Sequence, residues 1–242
     1  MHMSRRMLFV FGIIFILTLL VPLLWAQVPA RTATRRHLTA EAVSRQFLSR
    51  HPKPRDEAEK SIIAVMEDMY TNQSRGMGNI LPEDGRLMRM LTETIGAKYV
   101  VEVGTANGYS AMWFCLALRS TGGRLTTHEI DPKRIALAKK NFNRAGVEDL
   151  VTLVEGDAHE TIVRLTEPID LLLLDAEKEG FTDYLKKLLP LVRTGGLIIA
   201  HDSSGQAHMM EDYFQAIVGN LDLETVFVDA SRWGMAITRK MR

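Results

Sequence analysis

The stretch Val101-Glu102-Val103-Gly104-Thr105-Ala106-Asn107-Gly108-Tyr109-Ser110 decides the fold. An apolar β-branched run stops at a glycine, a second glycine follows four residues on, and an apolar helical pattern starts at once. Glycines placed this way let the backbone turn sharply and approach a ligand closely, as a nucleotide site at the carboxyl edge of an open α/β sheet requires. The spacing departs from the dinucleotide fingerprint, G-x-G-x-x-G with a pyrophosphate on the helix N-terminus. Glu102, two places before Gly104, instead suits a ligand that carries a cation. An ordinary tight turn also uses a glycine pair, so the neighbouring segments have to decide.

Outward from this stretch, short apolar runs alternate with amphipathic helical patterns. Strands are expected near 99–104, 124–130, 151–155, 169–175 and 196–201, and helices near 109–119, 132–144, 159–165, 181–192 and 207–218. Such alternation makes βαβ units and a parallel sheet covered on both faces. Upstream, helical patterns cover 40–50, 56–70 and 83–95, the last opening on Pro82 as a first-turn residue. Downstream, 224–229 and 235–238 read as two strands joined by a turn around 231–234, a closing antiparallel hairpin.

The strand ends carry the chemistry. The second ends in Thr127-His128-Glu129-Ile130-Asp131, and an acid at that tip is where a ribose diol is gripped by two hydrogen bonds. The third ends in Glu155-Gly156-Asp157-Ala158, the fourth run closes on Asp175 and the fifth on Asp202. A solvated loop explains any one of these acids but not their common placement. Adjacent parallel strands would bring Asp175 and Asp202 together, and paired hard oxygen ligands suit Mg²⁺ or a similar divalent ion.

Composition bounds the rest. With 242 residues, 24% charged and 46% hydrophobic, the chain has material for one ordinary core, which excludes disorder and a disulfide scaffold; Cys115 is the single cysteine and reads as buried and inert. The net charge of +1 hides two unlike parts: residues 1–38 hold five Arg and no acid, leaving 25 basic and 29 acidic side chains, a balance of −4. A mildly acidic body speaks against nucleic acid as partner. Residues 7–30 form an uncharged run after Arg5 and Arg6, and its core from Leu8 to Trp25 nearly reaches the roughly 20 residues of a membrane span. It reads equally as a single-pass anchor or as a secretory signal cleaved near Ala26 or Ala30. Arginines on both flanks leave the side of the body open. The expected organisation is a hydrophobic segment 1–30, a basic linker 31–38 and a catalytic domain 39–242.

Taken together, the marks Ile80-Leu81-Pro82-Glu83-Asp84-Gly85, Glu102 to Ser110, Glu129-Ile130-Asp131, Leu174-Asp175-Ala176-Glu177-Lys178, and Gly195-Gly196 leading to Asp202 resemble a known family, from about Gly76 to Lys240. This is the class I S-adenosylmethionine-dependent methyltransferases, specifically the cation-dependent O-methyltransferases typified by catechol and caffeoyl-coenzyme A O-methyltransferases. The resemblance implies a Rossmann-like, doubly wound, seven-stranded, mostly parallel α/β sheet with a C-terminal antiparallel hairpin. It implies methyl transfer from S-adenosylmethionine to a hydroxyl of a small, phenolic or catechol-like acceptor. By it, Glu102 faces the methionine end of the cofactor, with Gly104, Gly108 and Ser110 lining it. Glu129 holds the ribose, Asp157 and Ala158 flank the adenine, and Ile80 and Asp175 also touch the cofactor. It makes Asp175 and Asp202 metal ligands and Lys178 the general base, and it allows a homodimer through 40–70.

One position departs from the family pattern: Ser203 stands where the family has a ligating Asn directly after the second Asp, and by that position it is the third candidate metal residue beside Asp175 and Asp202. A serine hydroxyl is shorter and a poorer neutral ligand than an amide carbonyl, which opens a metal-independent alternative running on His201 or Lys178. A methyltransferase of another small-molecule class and a non-catalytic, membrane-tethered cofactor-binding module are the rival readings. Trp233, at the expected hairpin tip, is read either as a wall for an aromatic acceptor or as surface packing.

Overall fold

The computed structural model describes residues 49–242. Backbone contacts group the chain as Met1–Leu38 and Thr39–Arg242. The first unit lies outside the described residues, and with it the apolar run 7–30 and the linker 31–38; so does the helix expected at 40–50, except its last two positions, which are not helical. Among the described residues no helix is long and apolar enough to cross a membrane.

Seven strands form one sheet: β1 (Tyr99–Val103), β2 (Arg124–Glu129), β3 (Val151–Glu155), β4 (Ile169–Leu174), β5 (Val192–His201), β6 (Leu223–Val228) and β7 (Met235–Lys240). Their order is β3-β2-β1-β4-β5-β7-β6. β1 to β5 run parallel, and β7 is antiparallel to both β5 and β6. The helices are α1 (Glu57–Asn72), α2 (Pro82–Thr94), α3 (Tyr109–Thr121), α4 (Pro132–Ala145), the single turn α5 (Ala158–Thr161), α6 (Phe181–Leu188) and α7 (Glu211–Val218).

Side chains alternate across a strand, so successive residues of the central strands feed opposite layers. Val100, Leu171, Leu173 and Ile199 pack with the buried faces of α1 to α4. Val101, Val103, Leu172, Leu174 and Ile198 pack with α6 and α7. Burial on both faces is why these strands read as continuous apolar runs. α2 lies tight against α3: a Cβ at Gly85 would collide with the Trp113 indole, so only glycine admits this approach. The strand order reverses between β1 and β4, and a crevice opens at the carboxyl ends of the strands flanking such a switch point.

Four element boundaries differ from those expected. The helix expected to 192 ends at Leu188; Leu189 is still helical in backbone and bonds Leu185 O, but Pro190 has no N–H with which to continue the ladder. β5 starts at Val192 and not at 196; its first residues pair through a register shift against β4, and Gly195 supplies a left-handed φ of 78°. The 159–165 segment is one α-turn capped by the Asp157 side chain, followed by a 3₁₀ turn at Ile162–Arg164, since Pro168 leaves no room for a longer helix before β4. The 207–218 segment holds a 3₁₀ turn at Ala207–Met209, and the α-helix begins only at Glu211, where Glu211 and Asp212 place acids in its first turn.

Candidate active site

The carboxyl ends of β1 to β5 border a cavity of about 770 Å³. Of the residues singled out in the sequence, Ile80, Gly104, Ser110, Glu129, Asp157, Ala158, Asp175, Lys178 and Asp202 line it. Glu102, Gly108, His201 and Ser203 stand outside the wall, as its support.

At the β1–β3 side the backbone does most of the work. Gly104 has φ 99°, and a Cβ there would collide with the Asp175 carbonyl oxygen, so glycine alone lets β1 turn against the end of β4. Ala106, inside the turn, has φ 49°, a left-handed conformation uncommon for a residue with a side chain. The turn is held by Glu129, whose Oε2 accepts from Ala106 N at 2.8 Å while its Oε1 accepts from the backbone N–H groups of Ile130 and Asp131 at 2.9 Å each. That carboxylate is fixed before any ligand arrives. Glu102 is fully buried behind the turn, accepting from Ser110 Oγ and, at 2.6 Å, from Thr127 Oγ1. Burial pushes its carboxyl up to about 8, with the two hydroxyls opposing the shift. Asp157 caps α5 through its bond from His159 N at 2.8 Å, and His159 stacks on Tyr184 with ring centroids 4.5 Å apart.

At the β4–β5 side, charged side chains are gathered from four segments. Lys178 Nζ lies 3.3 Å from Asp175 Oδ1 and 3.1 Å from Asp202 Oδ2. His201 Nδ1 lies 3.2 Å from Asp175 Oδ1 and 3.3 Å from Asp202 Oδ1. On its far side, His201 Nε2 reaches Asp84 Oδ2 at 3.1 Å, and that oxygen also accepts from Ser231 Oγ at 2.5 Å. Burial alone would lower the His201 pKa, yet Asp175, Asp84 and Asp202 raise it to about 10, so without another cation the ring is an imidazolium. Burial alone would raise Asp175; His201 and then Lys178 hold its carboxyl below the usual range. Asp202 has φ 66°, and a non-glycine residue held there is locally strained, as functional side chains often are.

Asp175, His201 and Asp202 each offer a ligand atom, all within 4.8 Å of one another, which fits a small divalent cation. Ser203 Oγ is buried without a hydrogen-bond partner. His201 is buried and off the cavity wall, and between it and the cavity stand its contacts Asp175 and Asp202. Trp233 packs on Gly205, where a Cβ would strike its ring, and its carbonyl accepts from Ser204 N and Gly205 N at 2.9 and 3.0 Å. Its place is the packing of the hairpin onto the turn after β5, apart from the cavity wall.

Sequence reasoning left Asp84 and Asn79 without a role. Both side-chain polar atoms of Asn79 are buried and unpartnered at the cavity wall, and Asp84 is wholly buried yet ionisable. A buried acid in the first turn of an amphipathic helix was the available signal for Asp84.

A family model described as O-methyltransferase matches residues 56–216. The chain belongs to this O-methyltransferase family. Catechol O-methyltransferase from Niastella koreensis is 38% identical over 126 residues, covering 50% of this chain and 57% of that protein, so the match spans little more than half of that relative. Among solved structures, the SAH-bound Podospora anserina methyltransferase superposes with a TM-score of 0.73 at 22% identity, covering 86% of this chain and 97% of that one. The Bacillus cereus O-methyltransferase in complex with SAH gives 0.67 at 22% identity, over 83% and 96%. These superpositions show that the seven-stranded sheet is the Rossmann-like methyltransferase fold.

Proposed function

We propose that this family member transfers a methyl group from S-adenosylmethionine to a hydroxyl of a small phenolic or catechol-like acceptor, with a divalent cation at the acceptor end. The observation that carries the reading is the single cavity, which joins the Gly104–Ser110 turn, Glu129 and Asp157 at one side to Asp175, Lys178 and Asp202 at the other. Glu129 presents an immobilised carboxylate to the ribose diol, and Asp157 with Ala158 borders the adenine. With the cofactor so held, its sulfonium methyl would be directed toward the ends of β4 and β5. Lys178, seated between the two carboxylates, is placed to take the proton from the acceptor hydroxyl. The oxygen then forms its bond to the methyl carbon as the carbon–sulfur bond breaks, leaving S-adenosylhomocysteine. Positioning and proton removal are the protein's share of such a displacement. Asp175, Asp202 and a third donor would hold the cation, which orients a catecholate and lowers its hydroxyl pKa.

The test is transfer of a labelled methyl group to a panel of phenols, catechols, amines and carboxylates, with and without chelator. Methylated catechol oxygen, lost on chelation, is the expected product. Transfer to amines or carboxylates alone replaces the acceptor class, and turnover unchanged in chelator removes the cation. The leader read in 1–30 adds membrane engagement to the proposal, and fractionation with protease accessibility of the body checks it.

A further inference from the structure

We propose that His201, and not Ser203, completes the cation site, giving a two-carboxylate, one-imidazole centre that takes a transition-metal ion in preference to Mg²⁺. The inference rests on the O-methyltransferase reading above and concerns its metal. Two arrangements carry it: the direction of the His201 ring and the charge of the pocket around it.

The ring is held by both nitrogens. Nε2 faces Asp84 Oδ2 at 3.1 Å, a carboxylate that can only accept, so Nε2 carries a proton. Nδ1 points between Asp175 Oδ1 and Asp202 Oδ1 at 3.2 and 3.3 Å. Facing two acceptors, Nδ1 carries a proton there unless a cation takes the place of that proton between the three atoms. Donors about 2.1 Å from an octahedral ion stand about 3 Å apart, and those of a tetrahedral Zn²⁺ site about 3.3 Å, so the two spacings from Nδ1 are compatible with the edges of either polyhedron, and all three atoms lie within 4.8 Å of one another. An imidazole that ligates a metal through one nitrogen commonly donates from the other to a carboxylate, which fixes its tautomer. Asp84 fills that role, and it is itself fixed by Ser231 Oγ at 2.5 Å. The Asp84–His201 axis thus ties α2, β5 and the β6–β7 turn to one point.

Charge agrees. Asp175 and Asp202 face Lys178, and Asp84 faces His201 behind them; the side chains of Asp84, Asp175, Asp202 and Lys178 are 0, 13, 14 and 4% exposed. Three carboxylates against one ammonium leave two negative charges beside a neutral imidazole, and one divalent cation cancels them. A set of two oxygens and one imidazole nitrogen is softer than an all-oxygen set, which moves preference along the series from Mg²⁺ toward Mn²⁺, Co²⁺ and Zn²⁺. Ser203 needs no place in this centre.

Pulsed electron paramagnetic resonance of the Mn²⁺-loaded full chain tests this directly. The expected result is nitrogen modulation from a coordinated imidazole, altered by isotope labelling of histidine, with Co²⁺ binding more tightly than Mg²⁺ by calorimetry. His201→Ala should abolish the nitrogen signal and the preference for Co²⁺, whereas Ser203→Ala keeps both. Asp84→Asn should weaken Mn²⁺ binding by about 10- to 100-fold. The wild-type spectrum needs no variant, and binding of S-adenosylhomocysteine by each variant reports that it is folded. Bound Mn²⁺ without nitrogen modulation, or a site lost in Ser203→Ala and kept in His201→Ala, overturns the proposal. No cation binding with methyl transfer intact in chelator also overturns it and leaves the O-methyltransferase reading standing. No binding of S-adenosylhomocysteine and no transfer overturns that reading itself.

Discussion

The two sides of the crevice are built on different principles. The β1–β3 side is made from one turn of consecutive residues, Gly104 to Ser110, and one carboxylate from the next strand, Glu129, held by three backbone N–H groups. The β4–β5 side is made from charges far apart in the chain, where Asp84, Asp175, Lys178, Asp202 and His201 meet with the β6–β7 turn closing over them. Backbone geometry shapes the first side, whereas the second depends on charges that only the folded chain brings together. Damage at one side should therefore leave the other working, except where they touch at Gly104 and Asp175.

The sharpest separation is expected for Lys178→Met: methyl transfer falls about 10²- to 10⁴-fold, the usual contribution of a positioned acid or base, while affinity for S-adenosylhomocysteine stays within error of wild type. Parallel single-turnover kinetics and calorimetry check this, and a matching loss of affinity would merge the two sides. Gly104→Ala strikes their shared edge. It forces a side chain into φ 99° and against the Asp175 carbonyl, so unfolding in denaturant should show a loss of about 2–4 kcal/mol with both binding and transfer impaired. Glu129→Ala should raise the Kd for S-adenosylhomocysteine about 10- to 100-fold, the value of one or two hydrogen bonds to a charged group, without changing the pH profile of transfer at saturation.

The smallest effect is one of pH. The Glu102 carboxyl, at about 8 in the folded chain against an ordinary 4.5, keeps a proton that the unfolded chain has lost. Its contribution to stability is full below 4.5 and is lost as pH rises through 8. Glu102→Gln removes that dependence, so thermal melts of the two proteins should coincide at low pH and separate in favour of the variant as pH rises over this window. Equal separation at all pH values would place the Glu102 charge elsewhere.

How much was legible in the sequence follows the same division. The glycine turn announces itself locally and Glu129 stands out as an acid at the tip of the next strand, while the bond that ties them, from Ala106 N to Glu129, spans 23 positions. The parallel core was readable because two-sided burial leaves strands apolar at every position. Asp84 was not assigned a role, since nothing local says that an acid in the first turn of α2 faces β5, a contact between residues 117 positions apart. His201 was readable as chemistry but not as geometry: its burial behind Asp175 and Asp202 follows from the β5–β7 pairing and the hairpin packing on Gly205. Ser203 drew attention by its position in the family pattern, which carries no information about which neighbouring donor turns inward. The late start of the helix at Glu211 and the early start of β5 at Val192 were hidden for a related reason: both depend on tertiary packing, which overrides local periodicity.

Calorimetric titration of the full chain with S-adenosylhomocysteine, run on wild type, Glu129→Ala and Lys178→Met, tests most directly that one crevice holds the cofactor on one side and the acceptor chemistry on the other. The account predicts saturable one-site binding by wild type, weakened in Glu129→Ala and unchanged in Lys178→Met. Folded wild-type protein that binds no S-adenosylhomocysteine, or binding indifferent to Glu129, would contradict it.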